Sequence, residues 1–376
     1  MTRTDFINGF IHRGDTRRIK KVMARALKGE PITLAFLGGS ITQGSLASTD
    51  KSTYVYKVYE WWHSTFPDAT ITCINAGVGG TGSDNAVARA DEHVLRHHPD
   101  FVLTEFCVND CPEDYYKETF EGLVRHILRS ADRPALMLLN NARYDDSHNA
   151  ESVHLPIERH YDVPTVSLRH SVCPLIENGT LKYTEVSPDG LHPNDCGHSL
   201  VAELITTALE EILENVTAGD IRYKATDRLP EPLTQNGFEH SLRLNGRNCS
   251  PTLEGFVRDM NPPECLHSIR GNGFLATEPG SFFELETECE SLLVQYIKSV
   301  KKPAPIAIAT VDDDSEHGTV LDANFTEDWG DCLTTVPILL HGDLRKRKIK
   351  ITITEGGTDC VPFYLVSVIA AKRPKD

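Results

Sequence analysis

Residues 32–40, ITLAFLGGS, decide the fold of the first half of the chain. The apolar and partly β-branched residues 32–36 predict a buried strand. Two glycines then allow a sharp turn, which places the hydroxyl of Ser40 just beyond the carboxyl end of that strand. Ligands bind at this edge of a parallel α/β sheet. By itself, however, the stretch fits an ordinary strand-end turn as well as it fits a nucleophile.

Two later segments supply the groups that a nucleophilic serine needs. The apolar run at 101–106 predicts a second strand that ends near Asn109, and Asp189 and His192 stand in a turn-rich loop. A serine becomes nucleophilic when an imidazole accepts its proton and a carboxylate holds that imidazole in the correct tautomer. We therefore predict Ser40 as nucleophile, His192 as its base and Asp189 as the group that orients the ring. Asn109 and backbone amides are suited to bind the oxyanion that forms.

The order of these segments resembles that of the SGNH, or GDSL-type, hydrolases. That family carries Ser after the first strand, Gly after the second, Asn in an Asn-Asp pair after the third, and a later Asp-x-x-His. The matching residues, in the same order, are Ser40, Gly80, Asn109 and the pair Asp189 and His192. The resemblance implies an oxyanion hole formed by the backbone amides of Ser40 and Gly80 and the side-chain amide of Asn109.

The resemblance covers roughly residues 30–215 and implies a flavodoxin-like α/β fold, a three-layer sandwich around a parallel sheet. Two positions depart from the usual family pattern. Gly39 stands where Asp usually precedes the serine, and Cys107 stands where Gly usually lies two residues before the Asn. A glycine also precedes the serine in some esterase branches, and Cys107 is small enough to fit, although packing near the oxyanion site should differ.

The same glycines fit a nucleotide-binding loop poorly. Gly39 and Gly44 have the spacing of a phosphate-binding P-loop, but Ser45 stands where the phosphate-reaching lysine belongs. No GxGxxG fingerprint follows the first strand.

A zinc site is also not indicated. Cys107 and Cys111 lack the second pair of His or Cys residues that a zinc site requires. We therefore expect no metal and no organic cofactor.

Composition limits the class of partner. With 376 residues and 40% hydrophobic content, the chain predicts two domains with sizeable cores. The net charge of −16 argues against nucleic acid and anionic membrane surfaces as partners. No signal peptide or membrane span is apparent, so we expect a cytoplasmic protein whose ten cysteines are reduced. The sequence leaves a homo-oligomer open.

The sequence changes character between its two halves. Residues 1–217 alternate strand-like runs with helix-like runs such as 119–128, which predicts a parallel sheet with right-handed crossovers. Residues 225–376 consist of short strand-like runs separated by turn clusters, which predicts an all-β jelly roll or sandwich. This half resembles the jelly-roll modules found beside carbohydrate esterases, some of them like family 35 carbohydrate-binding modules. The alternative is a domain that only packs against the catalytic half.

A sugar-binding role for the second half requires an exposed aromatic ring, because the C–H face of a sugar stacks on such a ring. Trp329 and Phe325 lie in a predicted loop and are the candidates, with a core position as the alternative for Trp329. The run Asp312–Asp314 has the carboxylate oxygens that calcium prefers, but a solvated turn is the simpler account.

These features predict a serine esterase. The resemblance to carbohydrate acetyl esterases, above all those acting on mannan, implies 2-O- and 3-O-acetylated β-mannan or its oligosaccharides as substrate. Acetylated xylan and acyl lipids are the alternative substrates for the same fold. Outside the enzymes, the alternative is a catalytically inactive sugar-binding protein, and the intact set Ser40, Asp189 and His192 counts against it.

Overall fold

The computed structural model describes residues 1–226 and 228–374 and divides the chain into two units, Met1–Thr234 and Gln235–Asp376. The boundary lies later than position 225, where the sequence suggested that the second domain starts. The physical reason is Glu121, whose buried carboxylate accepts hydrogen bonds from Leu233 N at 2.7 Å and Thr234 N at 2.8 Å. These bonds hold the segment before the boundary on the first unit.

The first unit is built on a five-stranded parallel sheet in the order β2-β1-β3-β4-β5. Its strands are β1 (Ile32–Gly38), β2 (Ile71–Gly77), β3 (Phe101–Glu105), β4 (Ala135–Asn140) and β5 (Thr165–Ser167). This is the flavodoxin-like order, in which the chain reverses its direction of travel between β1 and β3. In such sheets a ligand crevice opens beyond the carboxyl ends of the strands at this switch point.

Helices cover the sheet in two groups. One core cluster joins the sheet to α1, α2, α4 and α10, while α5, α6 and α7 pack in series against one another. The α-helices are α1 (Arg3–Asn8), α2 (Arg17–Ala26), α3 (Ser40–Gln43), α4 (Tyr54–Thr65), α5 (Ser83–His93), α6 (Asp114–Arg129), α7 (Glu151–His160), α8 (Cys173–Glu177), α9 (Tyr183–Val186) and α10 (Asp195–Leu213). Short 3₁₀ helices span Asp50–Ser52, Leu95–His97, Leu168–His170 and Asp220–Arg222.

The second unit is a sandwich of two antiparallel sheets. One has the order β13-β12-β15-β10-β7; the other has the order β14-β11-β16-β9-β8, with β6 also paired to β16. Buried side chains from both sheets form a single core. The strands are β6 (His240–Leu244), β7 (Thr252–Glu254), β8 (Val257–Arg258), β9 (Phe274–Ala276), β10 (Phe282–Cys289), β11 (Ser291–Lys298), β12 (Ile306–Val311), β13 (Thr319–Asp322), β14 (Cys332–Leu339), β15 (Arg345–Glu355) and β16 (Phe363–Lys372). The predicted fold class is confirmed.

Further properties of the described residues concern disulfide bonds, membrane-spanning helices and metal-binding groups. All ten cysteines are free thiols. Among residues 1–226 and 228–374, no helix is both long and apolar enough to cross a membrane. Over the same residues, no three His, Cys, Asp or Glu side chains are grouped so that they could hold a metal ion.

Candidate active site

Ser40 begins a four-residue helix at the carboxyl end of β1. The turn into this helix needs its two glycines, because the surrounding atoms leave no room for side chains. A Cβ atom on Gly38 would lie 2.7 Å from Thr42 Cβ, and one on Gly39 would lie 2.9 Å from Asn109 Cγ. The helix ends at Gly44, which has a φ of 110° in the left-handed region. The glycine turns before and after this short helix thus fix the position of Ser40 at the strand end.

A hydrogen-bonded chain runs from Ser40 through His192 to Asp189. Ser40 Oγ lies 2.9 Å from His192 Nε2, and His192 Nδ1 lies 2.7 Å from Asp189 Oδ2. An ionised carboxylate can only accept, so Nδ1 carries the proton and Nε2 is left free to accept from the serine hydroxyl. This is the tautomer in which an imidazole can act as base toward a serine.

The loop that carries Asp189 and His192 organises its own carboxylate. Asp189 Oδ1 accepts hydrogen bonds from Leu191 N at 2.9 Å and His192 N at 2.7 Å. Partial burial opposes ionisation of Asp189, but the bonds from the His192 ring and the two amides prevail and lower the Asp189 pKa to about 2. Two residues beyond His192, the Asn194 side chain caps α10 by accepting from Cys196 N and Gly197 N.

A loop from the neighbouring strand lies beside the serine. Gly79 N donates to Gln43 Oε1 at 2.7 Å, which ties the glycine-rich loop after β2 to the helix of Ser40. Gly80 has a φ of 69°, a left-handed conformation that glycine adopts without strain. Within the described residues, the backbone amides of Ser40 and Gly80 have no internal hydrogen-bond acceptor. Both amides are therefore available to a ligand oxygen.

Asn109 reaches the same region from the end of β3. Its side chain packs against Gly39, and within the described residues its buried Oδ1 has no hydrogen-bond partner. The structure thus brings together the predicted residues Ser40, Gly80, Asn109, Asp189 and His192. The arrangement places a hydroxyl beside an imidazole, a carboxylate that orients the ring, and amide groups suited to bind a negatively charged oxygen.

The chain is similar to known ester hydrolases. The sequence profile of the GDSL-like lipase/acylhydrolase family matches residues 36–200. A crystal structure of a two-domain esterase active on acetylated mannans, co-crystallised with mannopentaose, is 43% identical to the chain. The similarity covers 99% of both chains, with a TM-score of 0.94. The chain belongs to the GDSL-like lipase/acylhydrolase family.

Two further relatives match about half of the chain. Thioesterase 1/protease 1/lysophospholipase L1 of Escherichia coli is 23% identical over 192 residues, which are 49% of this chain and 86% of that protein. An arylesterase of Vibrio mimicus is 25% identical over 187 residues, 47% of this chain and 87% of that protein. The similarity to the two-domain esterase covers nearly the whole chain and therefore includes the second unit.

The two departures from the usual GDSL pattern have different surroundings. Gly39 lies against Asn109, as described above. Cys107 is fully buried at the end of β3, and burial raises the pKa of its thiol well above the ordinary value. Its carbonyl accepts a hydrogen bond from Ala150 N at 2.7 Å. Cys107 is therefore a protonated packing residue, whereas Cys111 is exposed.

Beside Asn109 lies a buried Asp–His hydrogen bond that the sequence did not reveal. Asp110 Oδ2 lies 2.9 Å from His154 Nε2, and Asp110 Oδ1 accepts from Ser83 N at 2.8 Å. The ring of Phe120 stacks on His154, with centroids 3.7 Å apart. Asp110 thus joins the Asn109 turn to the start of α5 and to α7. The signal available in the sequence was the Asn-Asp pair, because nothing near His154 points to a partner 44 residues away.

His198 is a second supporting residue that the sequence did not single out. Its Nδ1 accepts from Tyr54 N at 3.3 Å, and its Nε2 donates to the carbonyl of Ser45 at 3.2 Å. Burial lowers the His198 pKa to about 4, against the opposing effect of the Ser45 bond. The neutral ring therefore ties α10 to the loop that follows the nucleophile.

The accessory aromatic residues lie at the surface of the second unit. Trp329 is 61% exposed, so the alternative of a core tryptophan is wrong. The half-buried Phe325 packs edge-on against it, with ring centroids 5.0 Å apart and planes at 88°. A pocket of about 170 Å³ in this unit is lined in part by Ser299 and Asp331, and Phe325 N donates to the carbonyl of Ser299 at 3.0 Å. The Trp329 ring is therefore accessible to a ligand, and Phe325 supports it from one edge.

Each carboxylate of the acidic run Asp312–Asp314 already has a side-chain partner. Arg345 and Arg347 pair with Asp312, and Lys348 pairs with Asp313. His317 Nδ1 lies 2.8 Å from Asp314 Oδ2. Asp312 and Asp313 also have positive φ angles, 55° and 62°. The run is therefore a turn whose carboxylates already have partners, in line with the simpler of the two accounts from the sequence.

Proposed function

We propose that the protein is a serine esterase that removes O-acetyl groups from β-mannan or its oligosaccharides. The observation that carries the proposal is the distance of 2.9 Å between Ser40 Oγ and His192 Nε2, with the imidazole held by Asp189. Membership of the GDSL-like family supports ester hydrolysis. The 43% identity to a two-domain esterase active on acetylated mannans supports the choice of ester.

In the first half of the proposed reaction, Ser40 Oγ attacks the acetyl carbonyl carbon while His192 Nε2 accepts the hydroxyl proton. The carbonyl electron pair moves onto oxygen, and the C–O bond to the sugar then breaks as the oxyanion collapses. His192 gives its proton to the departing sugar oxygen. The products of this half are a free sugar hydroxyl and an acetyl ester on Ser40.

In the second half, a water molecule loses a proton to His192 and attacks the acetyl-serine. The new tetrahedral species expels Ser40 Oγ, which regains its proton from His192, and acetate leaves. Asp189 stabilises the imidazolium that forms in each half, and its low pKa keeps it ionised throughout. All proton transfers therefore use the chain's own residues and water.

The reaction also requires groups that stabilise the negative charge on the carbonyl oxygen of the tetrahedral intermediate. We assign its binding to the backbone amides of Ser40 and Gly80 and to the side-chain amide of Asn109. Donors fixed before the reaction stabilise the transition state more than the substrate, because the charge develops only there. The rigid glycine turns on either side of Ser40 provide this fixation.

The nucleophile is tested with p-nitrophenyl acetate. We expect Ser40→Ala to lose hydrolysis by at least about 10³-fold, while the matched control Ser64→Ala, an exposed serine of α4, retains the wild-type rate. Equal rates for wild type and Ser40→Ala would contradict the esterase mechanism. A wild-type protein that binds mannan oligosaccharides but hydrolyses no ester would instead be the inactive sugar-binding protein.

The substrate is tested by acetate release from acetylated mannan, xylan and pectin oligosaccharides. We expect the highest kcat/KM on mannan. Fastest release from xylan would make the protein an acetylxylan esterase, and a preference for long-chain acyl esters would favour a lipid substrate. The cytoplasmic location and the oligomeric state stay predictions for fractionation and light scattering.

A further inference from the structure

Arg89, in the middle of α5, is the one charged residue among the largest fully buried side chains of the described chain. Its guanidinium donates to two backbone carbonyls: Nη1 to Ala76 O at 2.6 Å and Nη2 to Gly38 O at 3.0 Å. A third donor, Nε, bonds to Asn85 Oδ1 at 2.8 Å one turn earlier on the same helix. A single side chain thus contacts two neighbouring strands of the sheet at once.

The two carbonyls lie at the places where β1 and β2 end. Gly38 is the last residue of β1 and stands two positions before Ser40; Ala76 stands four positions before Gly80. The strands are in register here, with Leu37 opposite Ala76. Arg89 therefore binds the strand ends that lead into the two segments whose amides we assign to the oxyanion site.

The chemistry of the side chain suits this contact. A guanidinium is planar, carries its donors in a fixed fork and keeps its charge at every accessible pH. Its bonds to the two carbonyls are charge-assisted, which makes them roughly twice as strong as neutral ones. Lysine, with one compact ammonium on a flexible stem, cannot fix two carbonyls at a set separation.

We infer that Arg89 is a positioning residue for the oxyanion site, setting the separation between the amides of Ser40 and Gly80. The inference rests on the proposed function, because it assumes that these amides receive the carbonyl oxygen. Arg89 touches strand ends and not the reacting atoms, so its effect is on geometry. A displacement of about 1 Å at such a site costs about 10²-fold in rate.

The test compares Arg89→Lys with Arg125→Lys. Arg125 is the matched control, because it is also a buried arginine that donates to a backbone carbonyl, Pro230 O at 2.9 Å, but from α6. We expect kcat on p-nitrophenyl acetate to fall about 10–100-fold in Arg89→Lys with little change in KM. Methylboronic acid, which forms a tetrahedral adduct on a reactive serine, should bind more weakly by a similar factor. Arg125→Lys should keep both constants even if its melting temperature falls.

Asn85→Ala provides a second variant that leaves Arg89 in place but removes the oxygen that orients it. We expect a smaller fall in kcat, with a correspondingly smaller weakening of boronate binding, and this variant decides the matter if Arg89→Lys does not fold. Wild-type kcat and boronate affinity in the folded variants would overturn the inference. So would equal losses in Arg125→Lys. Failure of the proposed function looks different: Ser40→Ala would then hydrolyse the ester as fast as wild type.

Discussion

Asn109 lies directly against Gly39, the residue that precedes the serine. A Cβ atom on Gly39 would come within 2.9 Å of Asn109 Cγ and 3.2 Å of its Nδ2. Gly39 has a φ of −87°, so a side chain is excluded here by the asparagine and not by backbone strain. The usual family pattern has Asp at this position, and in this chain the space is occupied by the amide that we assign to the oxyanion.

Gly39→Ala should therefore impair activity more than stability. The new methyl group would push the Asn109 side chain aside, because a flexible side-chain end yields more easily than backbone. We expect kcat to fall by about 10–100-fold with a small change in melting temperature, and Gly39→Asp to behave at least as badly. Gly219→Ala is the control, since its Cβ would meet nothing closer than 3.5 Å. Wild-type activity in Gly39→Ala would contradict the assignment of Asn109 to the oxyanion site.

Asp189→Asn should abolish most of the activity while leaving substrate binding in place. The amide presents a donor where the imidazole needs an acceptor, so His192 would lose the tautomer that serves Ser40. We expect kcat to fall by about 10²–10⁴-fold with KM little changed. Because the Asp189 pKa is about 2, the wild-type rate should show no titration of this group above about pH 4. A variant at half the wild-type rate would contradict the orienting role.

Glu158→Gln should change how stability depends on pH. Burial raises the pKa of Glu158 to about 8, so the folded protein holds a proton that the unfolded chain releases near pH 4. Its favourable contribution is complete below about pH 4 and is lost as pH rises toward 8. Urea unfolding between pH 5 and 8 should show the wild type losing roughly 3 kcal/mol relative to the variant. Glu203→Gln, an exposed carboxylate of α10, should follow the wild type; identical slopes for all three proteins would refute the prediction.

Trp329→Ala should separate polysaccharide turnover from ester chemistry. The indole is 61% exposed, so its removal should cost little stability. We expect acetate release from acetylated mannan to slow by about 10-fold, at about 1–2 kcal/mol for a lost stacking contact, with p-nitrophenyl acetate hydrolysis unchanged. Val320→Ala, at a similarly exposed position of the same unit, serves as control. Equal losses on both substrates would give Trp329 a structural role.

The sequence predicted the elements that carry strong local patterns. The strand expected from 32 to 36 is observed as Ile32–Gly38, and the alternation of strands and helices led to the observed parallel sheet. The helix expected over 119–128 begins earlier, at Asp114. Its first turn consists of polar and aromatic residues that are exposed or half-buried, so the apolar spacing that marks a helix starts only in the second turn.

The residues of the candidate site likewise fall into two groups, those that a local sequence motif predicts and those that only the structure reveals. Ser40, Asp189 and His192 could be picked from the sequence because each lies in a short motif whose spacing is set by a turn: two glycines before the serine, and two residues between the carboxylate and the imidazole. Local geometry of this kind depends on a few neighbouring residues. Only the tertiary structure revealed Arg89, His154 and His198 as supports. Their partners are 13–51, 44 and 144–153 residues away in the chain, and burial, which makes these polar contacts strong and selective, exists only after the chain has folded.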